Sequence, residues 1–330
     1  MSIRLRQIAH YFSSRRLRLL ILPTEKCNFR CTYCYEDFAL GQMSSETVDA
    51  IAALVESRAA DLDALEVDWF GGEPLLARTV VYRLSEIIND LAGRFAFGYV
   101  GTITTNGYLL TPDVARELSA RGVTRFQVSL DGPEEIHDAR RPTVRKQPTY
   151  QVIAGNIAAI LDSDLDVHLQ LRVHFDRATY PSVRDFVRDV VATWSRDARV
   201  EVLLTHVENL SDSQDGHVPQ MEPAERTAAV SELKMLVGRG INKADAFYVC
   251  YAAQPNAFVI RADGRIGKCT VALKDEKNVV GRLTHDGQLQ LNDQQLLPWF
   301  AGWGTGNLQQ LACPYSAIRT DSCAGCSSLL

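Results

Sequence analysis

The sequence predicts an α/β protein: a partial, open (β/α)6 barrel followed by a small C-terminal α+β domain. Three observations carry this prediction. Short β-branched runs alternate with longer stretches of helical period six times along the first part of the chain, and such alternation demands a parallel sheet with right-handed crossovers. Beyond about residue 240 the rhythm changes to short strands, turns and glycines. The chain has 330 residues, 46% hydrophobic and 23% charged, which is enough for one large core or two unequal domains and too apolar for disorder.

In chain order, strands are predicted over 17–22, 65–70, 99–104, 125–129, 167–173 and 200–204, where β-branched and apolar residues crowd into short runs. Helices of matching order are predicted over 45–60, 79–91, 111–121, 150–161, 181–192 and 222–236. The third is bounded by local chemistry: Thr111 before Pro112 is an N-cap with proline at the first helical position, and Gly122 follows Arg121 where the helix should stop. The polar stretch 211–220 reads as a surface loop before the last helix. Residues 256–260 and 265–269 read as a hairpin joined through Ala262, Asp263 and Gly264, with an Asp-Gly turn. Six units suit an open barrel better than a closed eight-unit one, and parallel sheets place their chemistry at the carboxyl ends of the strands. The predicted organisation is a basic arm over 1–16, the barrel over 17–238 and the small domain over 239–330, with no internal repeat.

A net charge of -5 gives no global field for nucleic acid. Arg4, Arg6, Arg15, Arg16 and Arg18 precede any acidic residue; a solvated N-terminus is the simplest reading, and contact with an acidic peptide is the alternative. No run approaches the roughly 18 apolar residues of a membrane span, and 19–22 is too short for a signal-peptide core. The expectation is a cytoplasmic protein without a membrane partner.

Eight cysteines in such a chain point to metal or redox chemistry before disulfides. Cys27, Cys31 and Cys34 stand together near the start, and Cys250, Cys269, Cys313, Cys323 and Cys326 crowd the C-terminal quarter, implying two separate sites. The first group places three thiolates on one loop directly after the first strand. A structural zinc site would normally offer four ligands, whereas three suit a cubane 4Fe-4S cluster with one iron open to another ligand. This loop resembles that of the radical SAM enzymes, whose pattern is Cys-x3-Cys-x2-Cys with an aromatic residue before the third cysteine, here Tyr33.

Further matches fall at successive strand ends. Gly71, Gly72, Glu73 and Pro74 follow strand two; adjacent glycines let backbone approach a ligand, and a carboxylate beside them can hold an ammonium group. They resemble the family's motif for the amino group of S-adenosylmethionine (SAM). Thr105 and Asn106 follow strand three, with turn chemistry as the competing reading. Ser129, Asp131 and Gly132 close strand four, and Arg172 lies near the end of strand five. In the subfamily with auxiliary clusters, residues matching Ser129 and Arg172 hold the SAM ribose and carboxylate, and one matching Asp131 often faces the substrate. Arginine's fork suits a carboxylate. The segment through His137 and Arg141 also resembles that subfamily, but Pro142 stands where a glycine is usual, and local salt bridges at a helix terminus are the expectation for both.

The Cys250, Gly264, Cys269 spacing looks like the opening of a SPASM domain, but five cysteines fall short of two clusters. The shorter twitch domain is the closer resemblance, with one auxiliary 4Fe-4S cluster on Cys250, Cys269, Cys323 and Cys326; zinc on the same four is the rival. Cys313 is left over, as a core filler, a replacement ligand, a residue binding a substrate thiol, or a catalytic hydrogen donor.

The resemblance therefore implies a partial TIM-like barrel with a SPASM/twitch-like iron-sulfur domain. It implies reductive cleavage of SAM to a 5'-deoxyadenosyl radical that abstracts hydrogen from an unactivated carbon, the cofactor carrying the difficult step. An external one-electron reductant such as flavodoxin or ferredoxin would supply the electron. The loop flanks and the Ser129 to Pro133 segment look most like maturases of ribosomally made peptides, implying a precursor peptide substrate and a side-chain cross-link. With about 16 residues before strand one, leader recognition would fall to a separate protein or a direct groove. Alternatives are oxidation of a small alcohol by a twitch-type dehydrogenase, peptide epimerisation, and a non-catalytic iron-sulfur or zinc scaffold. A molybdopterin-type cyclase fits less well, because that family's paired C-terminal glycines are absent from Ser327, Ser328, Leu329 and Leu330.

Overall fold

The computed structural model describes residues 3–210, 217–238 and 248–319. Helix α1 (Ile3–Phe12) precedes β1 (Arg16–Ile21). The chain then runs through α2 (Ser45–Arg58), β2 (Ala64–Trp69), α3 (Arg78–Phe95), β3 (Gly98–Thr105), α4 (Pro112–Ser119) and β4 (Val123–Leu130). It continues through α5 (Glu134–Arg140), α6 (Tyr150–Leu161), β5 (His168–Phe175), α7 (Tyr180–Phe186), α8 (Ala192–Trp194), β6 (Val200–His206) and α9 (Pro223–Val237). Four short strands follow, β7 (Ala257–Ile260), β8 (Arg265–Gly267), β9 (Gly281–Leu283) and β10 (Leu289–Leu291), with short helical turns as far as Ile318.

All six predicted β/α units are present. The predicted cap of α4 is made: the Thr111 hydroxyl accepts from Val114 N at 3.3 Å. The helix predicted over 181–192 is interrupted by a π turn, Val187–Val191, between α7 and α8; Val183, Val187 and Val191 are all fully buried across that break. The predicted solvated arm is also different. It folds as α1, and Tyr11 and Phe12 lie 6.1 and 4.9 Å from the Trp303 ring. The arginines that follow are answered within the chain, Arg15 by Asp63, Arg16 by Glu66 at 3.1 Å and Arg18 by Asp68 at 2.6 Å.

Strands β1 to β6 form a parallel array in sequence order, and β7 adds to the far side of β1, also parallel; β8, β9 and β10 extend it antiparallel. The sheet ends at β10 and β6 without closing. The predicted boundary at 238/239 therefore does not divide the sheet, because the hairpin belongs to it. Along β2 the burial alternates, with Leu65, Val67 and Trp69 sealed and Glu66 and Asp68 partly open. β5 repeats this, sealing Leu169, Leu171 and Val173 and leaving His168, Gln170 and Arg172 partly open. Parallel strands covered by helices on both faces would be apolar throughout, so here one face packs on helices and the other is a polar surface. None of the described helices is long and apolar enough to cross a membrane.

Candidate cofactor site at the strand ends

After Ile21 the chain stays irregular until α2, and this loop carries Cys27, Cys31 and Cys34. Its root is fixed twice. Glu25, 1% exposed, accepts from both Nε and Nη2 of Arg261 at 2.7 and 2.8 Å, and Glu73 N donates to Lys26 O at 2.9 Å. The tip lies along the segment after α5: Arg30 N donates to Pro142 O and Thr32 N to Arg140 O, both at 2.9 Å. Phe29 anchors it in the core, edge-on to Tyr108. All three cysteines are half-buried. Burial pushes the thiols up, Cys27 to about 12, Cys34 to about 11 and Cys31 in the same direction, so they become thiolates only when a metal replaces the proton. Among the described residues no three His, Cys, Asp or Glu side chains gather as a single ion requires. A cubane asks for less convergence, because each thiolate takes a different corner, and three soft donors on one loop fit it.

The paired glycines allow a close backbone approach within the chain itself. A Cβ on Gly71, at φ +118°, would lie 2.2 Å from Thr24 O, and one on Gly72 would lie 2.5 Å from both Glu25 O and Lys26 O. They let the second strand's exit pack against the root of the cysteine loop. Glu73 is fully buried and also engaged: Oε1 accepts from Leu75 N at 3.0 Å and Thr105 Oγ1 at 2.8 Å, and Oε2 from Asn106 N at 2.8 Å. A carboxylate offers about four acceptor positions, so capacity for one ammonium hydrogen remains on Oε2. Turn chemistry occupies the next pair: Gly107 N donates to Thr105 Oγ1 at 3.1 Å and Tyr108 N to Asn106 Oδ1 at 3.0 Å. Asn106 Nδ2 reaches back to Asn28 Oδ1 in the cysteine loop at 2.8 Å.

Ser129 and Arg172 are direct cross-strand neighbours in the β4 and β5 pairing. Arg172 is half-buried, and among the described residues its side chain makes one hydrogen bond, from Nε to Thr205 Oγ1 at 3.3 Å. No carboxylate pairs with it among the described residues, against the alternative of a structural ion pair. A guanidinium so placed fits a ligand carboxylate.

Asp131 does not face open space, as its expected role toward substrate would require. It is fully buried, and Tyr33 OH donates to its Oδ1 at 2.8 Å while Arg141 Nη1 lies 3.4 Å from the same oxygen and donates to Tyr33 OH at 2.9 Å. His174 Nδ1 is 3.3 Å from that Oδ1, and Asp131 N donates to His137 Nδ1 at 3.3 Å. Burial opposes the charge, but Arg141 and the two histidines hold this carboxyl well below the usual range. Asp131 thus orients Tyr33 beneath the cysteine loop. His137 and Arg141, expected to make local helix-end salt bridges, are buried members of this group. His174 was missed, although it lies two residues beyond Arg172 on the same face of β5, where the period of two points.

In the C-terminal part, Cys250 and Cys269 are held by backbone contacts: Cys250 N donates to Leu311 O at 2.9 Å, and Asn278 Oδ1 accepts from Cys269 N at 2.9 Å. Burial raises both thiols, to about 12 and about 11. Cys313 is half-buried, packed against the core and within electrostatic reach of both. Cys323 and Cys326 lie outside the described residues. The donors present are again soft thiols, which suit iron-sulfur or zinc equally.

Comparison with known proteins agrees with this geometry. The model of the Radical SAM superfamily matches residues 21–190. "GTP 3',8-cyclase 2" of Mycobacterium tuberculosis is 27% identical over 283 residues, covering 78% of this chain and 75% of that one. "GTP 3',8-cyclase" of Photorhabdus laumondii is 33% identical over 163 residues, 47% of this chain and 45% of that one. Among solved structures, anSMEcpe with bound AdoMet and a Cp18Cys peptide superposes with a TM-score of 0.66 at 19% identity, covering 86% of this chain and 80% of the other. Streptococcus suis SuiB bound to precursor peptide SuiA gives 0.64 at 12% identity, covering 91% and 69%.

Proposed function

The chain belongs to the radical SAM superfamily, and from that premise we propose that it abstracts hydrogen from a ribosomally made precursor peptide and leaves a side-chain cross-link. Family membership makes it a radical SAM enzyme with a 4Fe-4S cluster and SAM. When bound, these supply a carbon-centred radical able to attack an unactivated C–H bond. The protein's share is placement. Cys27, Cys31 and Cys34 hold the cluster, the remaining acceptor capacity of Glu73 takes the SAM ammonium, and Ser129 with Arg172 takes its ribose and carboxylate. Tyr33, fixed by Asp131 and Arg141, closes the site from the loop side. The observation that carries this assignment is Arg172: a half-buried guanidinium with no carboxylate pair among the described residues, beside Ser129 and four strands along from the one that leads into the loop of three half-buried thiols. The peptide reading rests on the likeness of the cysteine-loop flanks and the Ser129 to Pro133 segment to peptide maturases.

A second reading, cyclisation of a nucleotide such as GTP, is supported by the curated relatives matched along most of both chains. One experiment separates them. Anaerobically reconstituted protein with SAM and dithionite should form 5'-deoxyadenosine; its absence overturns the enzyme reading. A peptide encoded beside this gene should lose hydrogen mass under the same conditions, whereas consumption of GTP with an unchanged peptide selects the second reading.

A further inference from the structure

Arg172 is not the last polar side chain on its face of β5. His174 stands two residues on, on the same face and roughly 6–7 Å nearer the strand's carboxyl end, where a barrel of parallel strands places its chemistry. Its ring centroid lies 5.8 Å from that of Tyr33, and 10% of its side chain stays open. His137, the other histidine beside Asp131, is 0% exposed, with Nδ1 accepting from Asp131 N and Nε2 sealed. Of the two, His174 is the one a ligand can reach.

The two nitrogens of His174 are unlike. Nδ1 is sealed, 3.3 Å from Asp131 Oδ1 and without an aligned hydrogen bond. Burial outweighs the pull of Asp131 and brings the imidazole down to about 4, so at neutral pH it carries a single N–H. On Nε2 that proton would leave the Nδ1 lone pair facing a carboxylate; on Nδ1 it turns repulsion into attraction. Nε2 is then a bare acceptor, and no described residue donates to it.

We propose that His174 is a specificity-determining residue whose Nε2 accepts a hydrogen bond from an N–H or O–H group of the substrate. The inference rests on the radical SAM enzyme reading of the strand ends. Peptide amides and the base N–H groups of a guanine nucleotide both offer such a donor. An acceptor left unpaired in a closed site counts against molecules that bring only acceptors to it.

The test gives the reconstituted full chain, with SAM and dithionite, GTP in one arm and the peptide encoded beside this gene in the other; the one consumed is the substrate. Asparagine keeps a polar atom near the place of Nδ1, and glutamine keeps an acceptor near that of Nε2. His174→Asn should raise KM for the consumed substrate roughly 5- to 100-fold with kcat largely kept, and His174→Gln should recover most of the loss. A KM unmoved in His174→Asn, or a loss that His174→Gln does not recover, overturns the inference. An equal rise in the Kd of SAM assigns the donor to SAM and overturns it as well. A second measurement needs no substrate: nitrogen NMR of the full chain with isotope-labelled histidine should place the His174 proton on Nδ1, and a proton on Nε2 overturns the inference. Protein that forms no 5'-deoxyadenosine overturns the enzyme reading and the inference with it, whereas normal 5'-deoxyadenosine with an unmoved KM overturns the inference alone.

Discussion

Among the described residues the Arg172 side chain bonds only Thr205, with no carboxylate to answer its charge, which makes it the most exacting residue-level test of the SAM site. Losing a charge-assisted hydrogen bond costs about 1.5–3 kcal/mol, so Arg172→Leu should weaken SAM binding roughly 10- to 100-fold. Arg172→Lys should recover only part, because the fork is lost. Equilibrium binding of SAM measures both, and an unchanged Kd removes Arg172 from the site. The polar group around Asp131 makes a different prediction. Burial, the largest cause, pulls His137 and His174 down to about 4 from 6.5. The unfolded chain thus takes up these protons first, so stability is complete above pH 6.5 and drains as pH falls toward 4. Denaturation of the metal-free protein across that range should show the slope, and His137→Gln should flatten it; equal slopes would exclude the histidine as a source. That Cys27, Cys31 and Cys34 share the loop after β1, and that Ser129 and Arg172 lie near the ends of β4 and β5, was legible in the sequence from spacing and strand period. The embedding of Asp131 was not, since burial of a turn residue depends on what the loops bring over it.

The cysteine loop has little regular structure of its own, so its shape comes from what grips it. The Glu25–Arg261 pair is 1% and 6% exposed at the side chains and joins the loop's root to the turn after β7. Removing one partner of a buried pair typically costs 3–5 kcal/mol. Arg261→Met should therefore destabilise the protein by about that amount in chemical denaturation, and adding Glu25→Gln should recover a substantial part. A loss below about 1 kcal/mol in Arg261→Met would show the pair to be solvated. Most elements were readable from period and caps, as with Thr111 at the start of α4. The π turn was not, because the run through Val187 and Val191 has ordinary helical spacing. Nor was α1, whose place depends on Trp303 nearly 300 residues away.

At the scale of the molecule, β1 is an interior strand, with β2 on one side and β7 on the other. A chain ending at residue 238 would leave the β7 side of β1 unpaired and strip the Arg261 partner from Glu25. Such a fragment should aggregate or unfold without a single cooperative transition; if it melts as one unit with coincident probes, the barrel is self-sufficient. The six-unit rhythm foretold the parallel array, but nothing in a strand's own residues names a partner so distant in sequence, which is why the hairpin was read as a separate domain. This interior position also has a consequence during synthesis. Some 240 residues separate β1 from β7, so at about 5–20 residues per second a ribosome takes on the order of 10–50 s to deliver the missing neighbour. The nascent cysteine loop spends that interval without the strand that completes its support.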